Sequence, residues 1–191
     1  MKRKEVLNYL KEITIVVIGV LIAVSISNYK ERLEDDAYLK KTLRAIEGEM
    51  VSSRADVDTV LTKHIDLYEK LENQFEVNAQ TLGEFIMSSG GIQIAVVKNV
   101  SLRFFISNKA ELLEFDVISQ LLEIESLTNL YSLNMERLTA FAYDNIHSTN
   151  KEVMTKFSYL LSDVIDSEQT LIKLYEEFFK ENQLYLTKKE E

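Results

Sequence analysis

The side chains in this 191-residue chain that could do chemistry are two histidines, His64 and His147, and a large set of carboxylates. Metal binding or proton transfer in a helical protein would ask for a spacing such as His-x-x-x-His or Glu-x-x-His. Neither occurs. The acidic groups come in short runs: Glu34-Asp35-Asp36, Glu47 with Glu49, Glu111 with Glu114 and Asp116, Glu123 with Glu125, Glu176-Glu177. That pattern is expected of solvated helix faces. Cys is absent, which excludes thiolate metal sites, thiol nucleophiles and disulfides. Gly90-Gly91 lacks the Lys-Ser/Thr of a phosphate loop, and no Ser sits in a nucleophile elbow. The sequence therefore assigns no catalytic, cofactor-binding or metal-binding residue, and the expectation is a protein that is not an enzyme. His64 is expected as a polar layer of a helical seam, with a ligand or pH-sensing role as the alternative. His147 is expected near a helix end, where an imidazolium would face the macrodipole favourably.

Helices must position these groups, because the chain has no Pro and only five Gly to break them. From Tyr29 to the late seventies, apolar residues recur at Leu39, Leu43, Ile46, Met50, Val57, Val60, Leu67 and Leu71. Ser53, His64 and Gln74 complete that 4-3 repeat as three polar layers. A second apolar line of Leu61, Ile65, Tyr68 and Phe75 widens the face toward a bundle. Thr81-Leu82-Gly83-Glu84 reads as a capping box opening a short helix that Gly90-Gly91 closes. Residues 92–106 admit a small hairpin turning at Lys98-Asn99, or a helix with Val96, Val100 and Phe104 on one face. Asn108 is the expected cap of a long helix reaching about His147, with Leu113, Val117, Leu121, Ile124, Leu127, Tyr131, Leu138 and Phe141 as its seam and a kink at Phe115-Asp116. Thr149 and Glu152 should cap a last helix with Val153, Phe157, Leu160, Val164, Leu171, Leu174 and Phe178 inward. Pairs such as Phe104-Phe105 and Phe178-Phe179 are expected in the core. The short connection at 147–150 makes these last two helices antiparallel neighbours.

All of this follows one uncharged run, Ile13 to Ser27. The run alone is short for a bilayer, which takes about 17–25 residues. Tyr9 and Tyr29 bracket it at a helical distance of roughly 30 Å and supply an aromatic belt. Glu12 marks the boundary, Ile13, Val17, Ile22 and Ala23 fill the span, and Gly19 is tolerated in lipid. The alternatives are a cleaved leader ending at Ala23-Val24-Ser25, or a buried core helix. The anchor helix either continues directly into the next one or breaks near Leu33–Asp36. The fold class expected is all-α: residues 1–11 a basic segment, 12–29 a transmembrane helix, 30–187 an elongated three- to four-helix antiparallel bundle, 188–191 a frayed tail.

Lys11 to Arg32, KEITIVVIGVLIAVSISNYKER, resembles the signature of an uncharacterised family of single-pass membrane proteins found mainly in Bacteroidota. That signature runs roughly G-E-I-x-x-V-V-I-G-I-L-I-A-L-Q-I-N-N-W. Glu12, Ile13, Val16, Val17, Ile18, Gly19, Leu21, Ile22, Ala23, Ile26 and Asn28 match it. Lys11, Ser25, Ser27 and Tyr29 stand where the pattern has Gly, Gln, Asn and Trp. A weaker likeness continues in Tyr38-Leu39-Lys40 and between Glu125 and Ser132. The resemblance implies a topology and no chemistry, apart from a helix-pairing or proton role for Glu12.

Charge adds direction and excludes partners. The first twelve residues carry four basic and two acidic groups; the rest carries 18 against 29, a balance of −11. So acidic a domain repels phosphate backbones, so no nucleic acid is expected to bind. The basic N-terminus favours a cytoplasmic start, with the bulk of the chain outside the cytoplasm and the inner membrane of a bacterium as its place. The function expected is a non-catalytic membrane-tethered interaction module, an accessory subunit with a protein partner or a homo-oligomer. The alternative is an extracytoplasmic sensory bundle, which would signal through a separate partner because about a dozen residues precede the anchor.

Overall fold

A computed structural model describes residues 3–74 and 80–187. The side chains of residues 3–7, Tyr9, Gln74 and 183–187 lie outside that description, as do residues 75–79 and the tail at 188–191. Among the described residues the chain is all-α: α1 (Arg3–Gln74), α2 (Leu82–Ser88), α3 (Val100–Lys109), a 3-10 turn (Ala110–Leu112), α4 (Phe115–Asp144) and α5 (Lys151–Thr187). They fall into two compact units, Met1–Thr42 and Leu43–Glu191, and α1 runs through both without the break considered at Leu33–Asp36.

The first unit contains one stretch long and apolar enough to cross a membrane. Ile13, Val17, Ile22 and Tyr29 are 60, 50, 55 and 66% exposed, so the run is apolar on every side and packs against nothing. That rules out the buried core helix: a core helix has a covered face. Gly19 is open to its surroundings, Glu12 and Ala23 are exposed, and the Thr14 hydroxyl donates to the Leu10 carbonyl at 2.8 Å.

The second unit is a helical bundle. All the α1 seam residues from Leu43 to Leu71 are buried, because a 3.6-residue helix returns them to one face every three or four positions. The side chain of Gln74, the last expected layer, is outside the described residues. α5 runs antiparallel to α1, with Arg54 paired to Glu176 and His64 to Glu168. It is antiparallel to α4 as well, with Gln120 on Glu181, the Asn182 amide on Gln120 at 2.7 Å and the Asn134 amide on Ser167 at 2.9 Å. α1 and α4 are consequently parallel. The chain between them must travel back along α1, and residues 92–109 do so.

Several boundaries differ from those read in the sequence. No hairpin forms: residues 92–99 have no regular structure and α3 begins at Val100, leaving Val96 and Phe104 exposed rather than in a core. Asn108 does not cap a helix, since its amide donates to the Phe104 carbonyl at 2.6 Å inside α3. α4 starts at Phe115, where a kink was expected, and ends at Asp144, so His147 lies in the turn beyond it. α5 is capped by Asn150, whose side chain accepts the Glu152 N–H at 2.8 Å, not by Thr149. The inward line of α5 passes through Met154, Leu161, Glu168, Tyr175 and Asn182, with Val153, Leu160 and Leu174 half-buried at its margin.

The capping box at α2 is present: Glu84 accepts the Thr81 N–H at 2.8 Å, and Thr81 accepts the Glu84 N–H at 3.2 Å. The Thr81 main-chain and hydroxyl donors, with help from His147, hold the Glu84 carboxyl below its usual range. Gly91 N–H donates to the Ile86 carbonyl and Gly90 N–H to that of Met87, the paired bonds of a Schellman stop. Both glycines have positive φ, +99° and +80°, which a Cβ would resist.

Candidate functional site

Residues 92–99 form an extended strap over α1, and the polar members of the α1 face meet its backbone. An extended segment without a partner strand leaves N–H and C=O groups that need other partners. Here side chains supply them. His64 Nε2 donates to the Gln93 carbonyl at 3.0 Å. Val96 N–H donates to Asp56 Oδ2 at 2.6 Å, and Lys98 N–H to Ser53 Oγ at 2.8 Å. Ala95 N–H points the other way, to the Tyr131 hydroxyl of α4 at 2.9 Å. Further on, Glu49 accepts the Ser101 N–H at 3.0 Å and its hydroxyl at 3.0 Å, so a carboxylate from α1 caps α3, whose own Asn99 makes no side-chain cap. Glu49, Ser53, Asp56 and His64 thus read 101, 98, 96 and 93 in descending order. Two of the expected polar layers, Ser53 and His64, belong to this ladder.

Beneath the strap lies the most enclosed charged pair among the described residues. His64 and Glu168 are both 0% exposed. His64 Nδ1 is 3.0 and 3.1 Å from the two Glu168 oxygens. Nε2 faces a carbonyl, which only accepts, so Nε2 carries a hydrogen. Nδ1 faces two carboxyl oxygens, and that contact attracts only with a proton between them. The pair therefore holds its shared proton and presents no net charge to the core, as burial demands.

Two phenols complete the layer. Burial pushes Tyr131 up to about 12, with the negative charges of Glu168 and Asp56 acting in the same sense and the Ala95 bond against it. Burial likewise pushes Tyr175 up to about 12, opposed by hydrogen bonds with Ser53 and Thr128. Ser53 is thereby shared between the strap and α5. Glu168 and Asp56 were not singled out in the sequence, and Tyr131 was read only as a seam residue of the α4 helix. A signal for Glu168 exists: Leu161, Val164, Glu168, Leu171, Tyr175, Phe178 and Asn182 form an unbroken 4-3 line in which one acid interrupts apolar positions, as one His does on α1.

Chemically this arrangement fixes a backbone; it does not offer a reacting centre. The void against Tyr175 and Thr128 measures about 10 Å³, too small for a substrate. Among the described residues no three His, Asp or Glu side chains converge to hold a metal ion. A roomier cleft, about 540 Å³, lies away from this layer between α1 and α5, lined by Tyr68, Leu71, Glu72, Lys151, Met154 and Tyr159. His147 is exposed and shares no site with His64. No protein-family model matches the sequence, and no curated protein and no solved structure matches it either.

Proposed function

We propose that the chain is a non-catalytic, membrane-tethered helical module that holds a protein partner or further copies of itself at a membrane. The observation that carries this reading is the apolar run of α1, exposed on all sides in a chain whose second unit has a closed core. Its buried polar groups are satisfied internally and spent on fixing the strap, which suits a scaffold better than an active site. The basic N-terminus supports a cytoplasmic start, with the acidic bundle outside the cytoplasm and the inner membrane of a bacterium as the site. The likeness of Lys11–Arg32 to the Bacteroidota membrane-protein signature supports the same placement.

The test is solubilisation of the full chain from native membranes in mild detergent, followed by co-purification, mass spectrometry and a mass measurement of the particle. A defined partner or a homo-oligomer is the expected result. A lone monomer would sink the assembly reading. The second reading, a ligand-sensing bundle, draws on the 540 Å³ cleft with its two tyrosines and its Glu72 and Lys151. A small molecule that co-purifies and is lost on Tyr68→Ala would favour it.

A further inference from the structure

We infer that the strap, residues 92–99, opens as a unit while the helices beneath it stay folded, and that the His64–Glu168 pair is its lock. Three observations converge. First, the strap has a hinge at one end, Gly90 and Gly91 at φ +99° and +80°, where the backbone turns at little steric cost. At the other end Asn99 makes no side-chain cap bond, and the start of α3 is held separately by Glu49. Second, its main chain between the hinge and α3 is held at four points by side chains of neighbouring helices: Gln93 by His64, Ala95 by Tyr131, Val96 by Asp56 and Lys98 by Ser53. Releasing these bonds breaks no helix. Third, the strap buries little apolar surface. Ala95 alone is buried and Ile92 and Val97 are half-buried, whereas Ile94 and Val96 are 62 and 61% exposed. Local opening is easiest where few apolar contacts are lost, and a segment pinned this way belongs to the low-stability end of a fold.

The lock differs in kind from the other three holds. Ser53 and Tyr131 are buried as His64 is, and Asp56 is half-buried, but only the hold at His64 is backed by a buried carboxyl from another helix, Glu168 of α5. With a proton shared between Nδ1 and Glu168, Nε2–H stays on the Gln93 carbonyl, so the α5 carboxyl holds the ring in the orientation that grips the strap. Tyr131, Asp56 and Tyr175 are the other ionisable groups facing this layer, from α4, α1 and α5 respectively.

Amide hydrogen exchange followed by mass spectrometry on the full chain in detergent micelles tests this directly. Peptides spanning 92–99 should exchange at least about 100-fold faster than core peptides around Leu138 and Leu161, and with little dependence on added urea. Asp56→Ala and Tyr131→Phe should each raise strap exchange by a further fivefold to tenfold, about one net hydrogen bond, with core exchange unmoved. Glu168→Leu leaves His64 Nδ1 buried without a partner, which should lower core protection and lower strap protection by a larger factor; Glu168→Gln, which keeps a donor for Nδ1, should restore part of both. Strap and core exchanging at one rate with one urea dependence would overturn independent opening. Tight strap protection in Glu168→Leu would overturn the lock.

Discussion

Tyr131 and Tyr175 are buried with their hydroxyls hydrogen-bonded, and both phenols sit near 12 against an ordinary 10. A raised phenol means that the folded state keeps its proton where the unfolded chain loses it. The stabilisation this represents is whole below about pH 10 and declines as pH rises from 10 toward 12. Two units correspond to up to about 3 kcal/mol for each ring. Urea unfolding at pH 8, 10 and 11 should show that decline, and Tyr175→Phe should roughly halve it, leaving the Tyr131 share, while lowering stability at pH 8 by about 1 kcal/mol for the lost bonds. At this scale the sequence was half legible. Ser53 and His64 stood out because polar residues on an apolar seam demand partners. Their partners did not, because a backbone carbonyl leaves no mark in a sequence and Glu168 hid on a line one step from the α5 seam read there.

Among the elements, α2 is seated by its first turn. Leu82 N–H donates to the Ser148 carbonyl at 2.9 Å and Gly83 N–H to the Ile146 carbonyl at 2.8 Å, so two orphan donors of the helix find the α4–α5 turn. The approach is close enough that a Cβ on Gly83 would lie 2.5 Å from Ile146 Cγ1 and 2.9 Å from its carbonyl oxygen. The side chain can swing away; the carbonyl is pinned by the bond it accepts. Gly83→Ala should therefore cost about 1–3 kcal/mol, read as a fall in thermal midpoint, whereas Gly19→Ala, with nothing within 4 Å, should leave the midpoint unchanged. The capping box and the Gly-Gly stop were legible, since both depend on local chemistry at fixed offsets. The start of α4 was not: Asn108 looks like a cap, but its amide is spent within α3. The hairpin failed for a related reason, because β-branched residues favour extended backbone whether or not another strand is there to pair with.

For the molecule as a whole, the acidic excess beyond the anchor and the basic start predict one topology. A reporter active only outside the cytoplasm, fused after Glu191, should light up, and a cytoplasmic reporter at the same point should stay dark. The reverse result would turn the chain over. The all-α class and a helix long and apolar enough to cross a membrane were legible because the lack of Pro and a continuous apolar run act over tens of residues. The parallel relation of α1 and α4 was not, because it depends on the return path of residues 92–109, a segment without periodicity. The His64–Glu168 pair has a consequence in time as well as in space. Its two members are 104 residues apart in the chain. At a ribosomal rate of about 5–20 residues per second, His64 emerges some 5–20 s before its carboxylate exists. Until α5 is made, α1 and α4 present a half-built core with an unanswered imidazole in it, so the nascent bundle stays open until its last-made helix closes it.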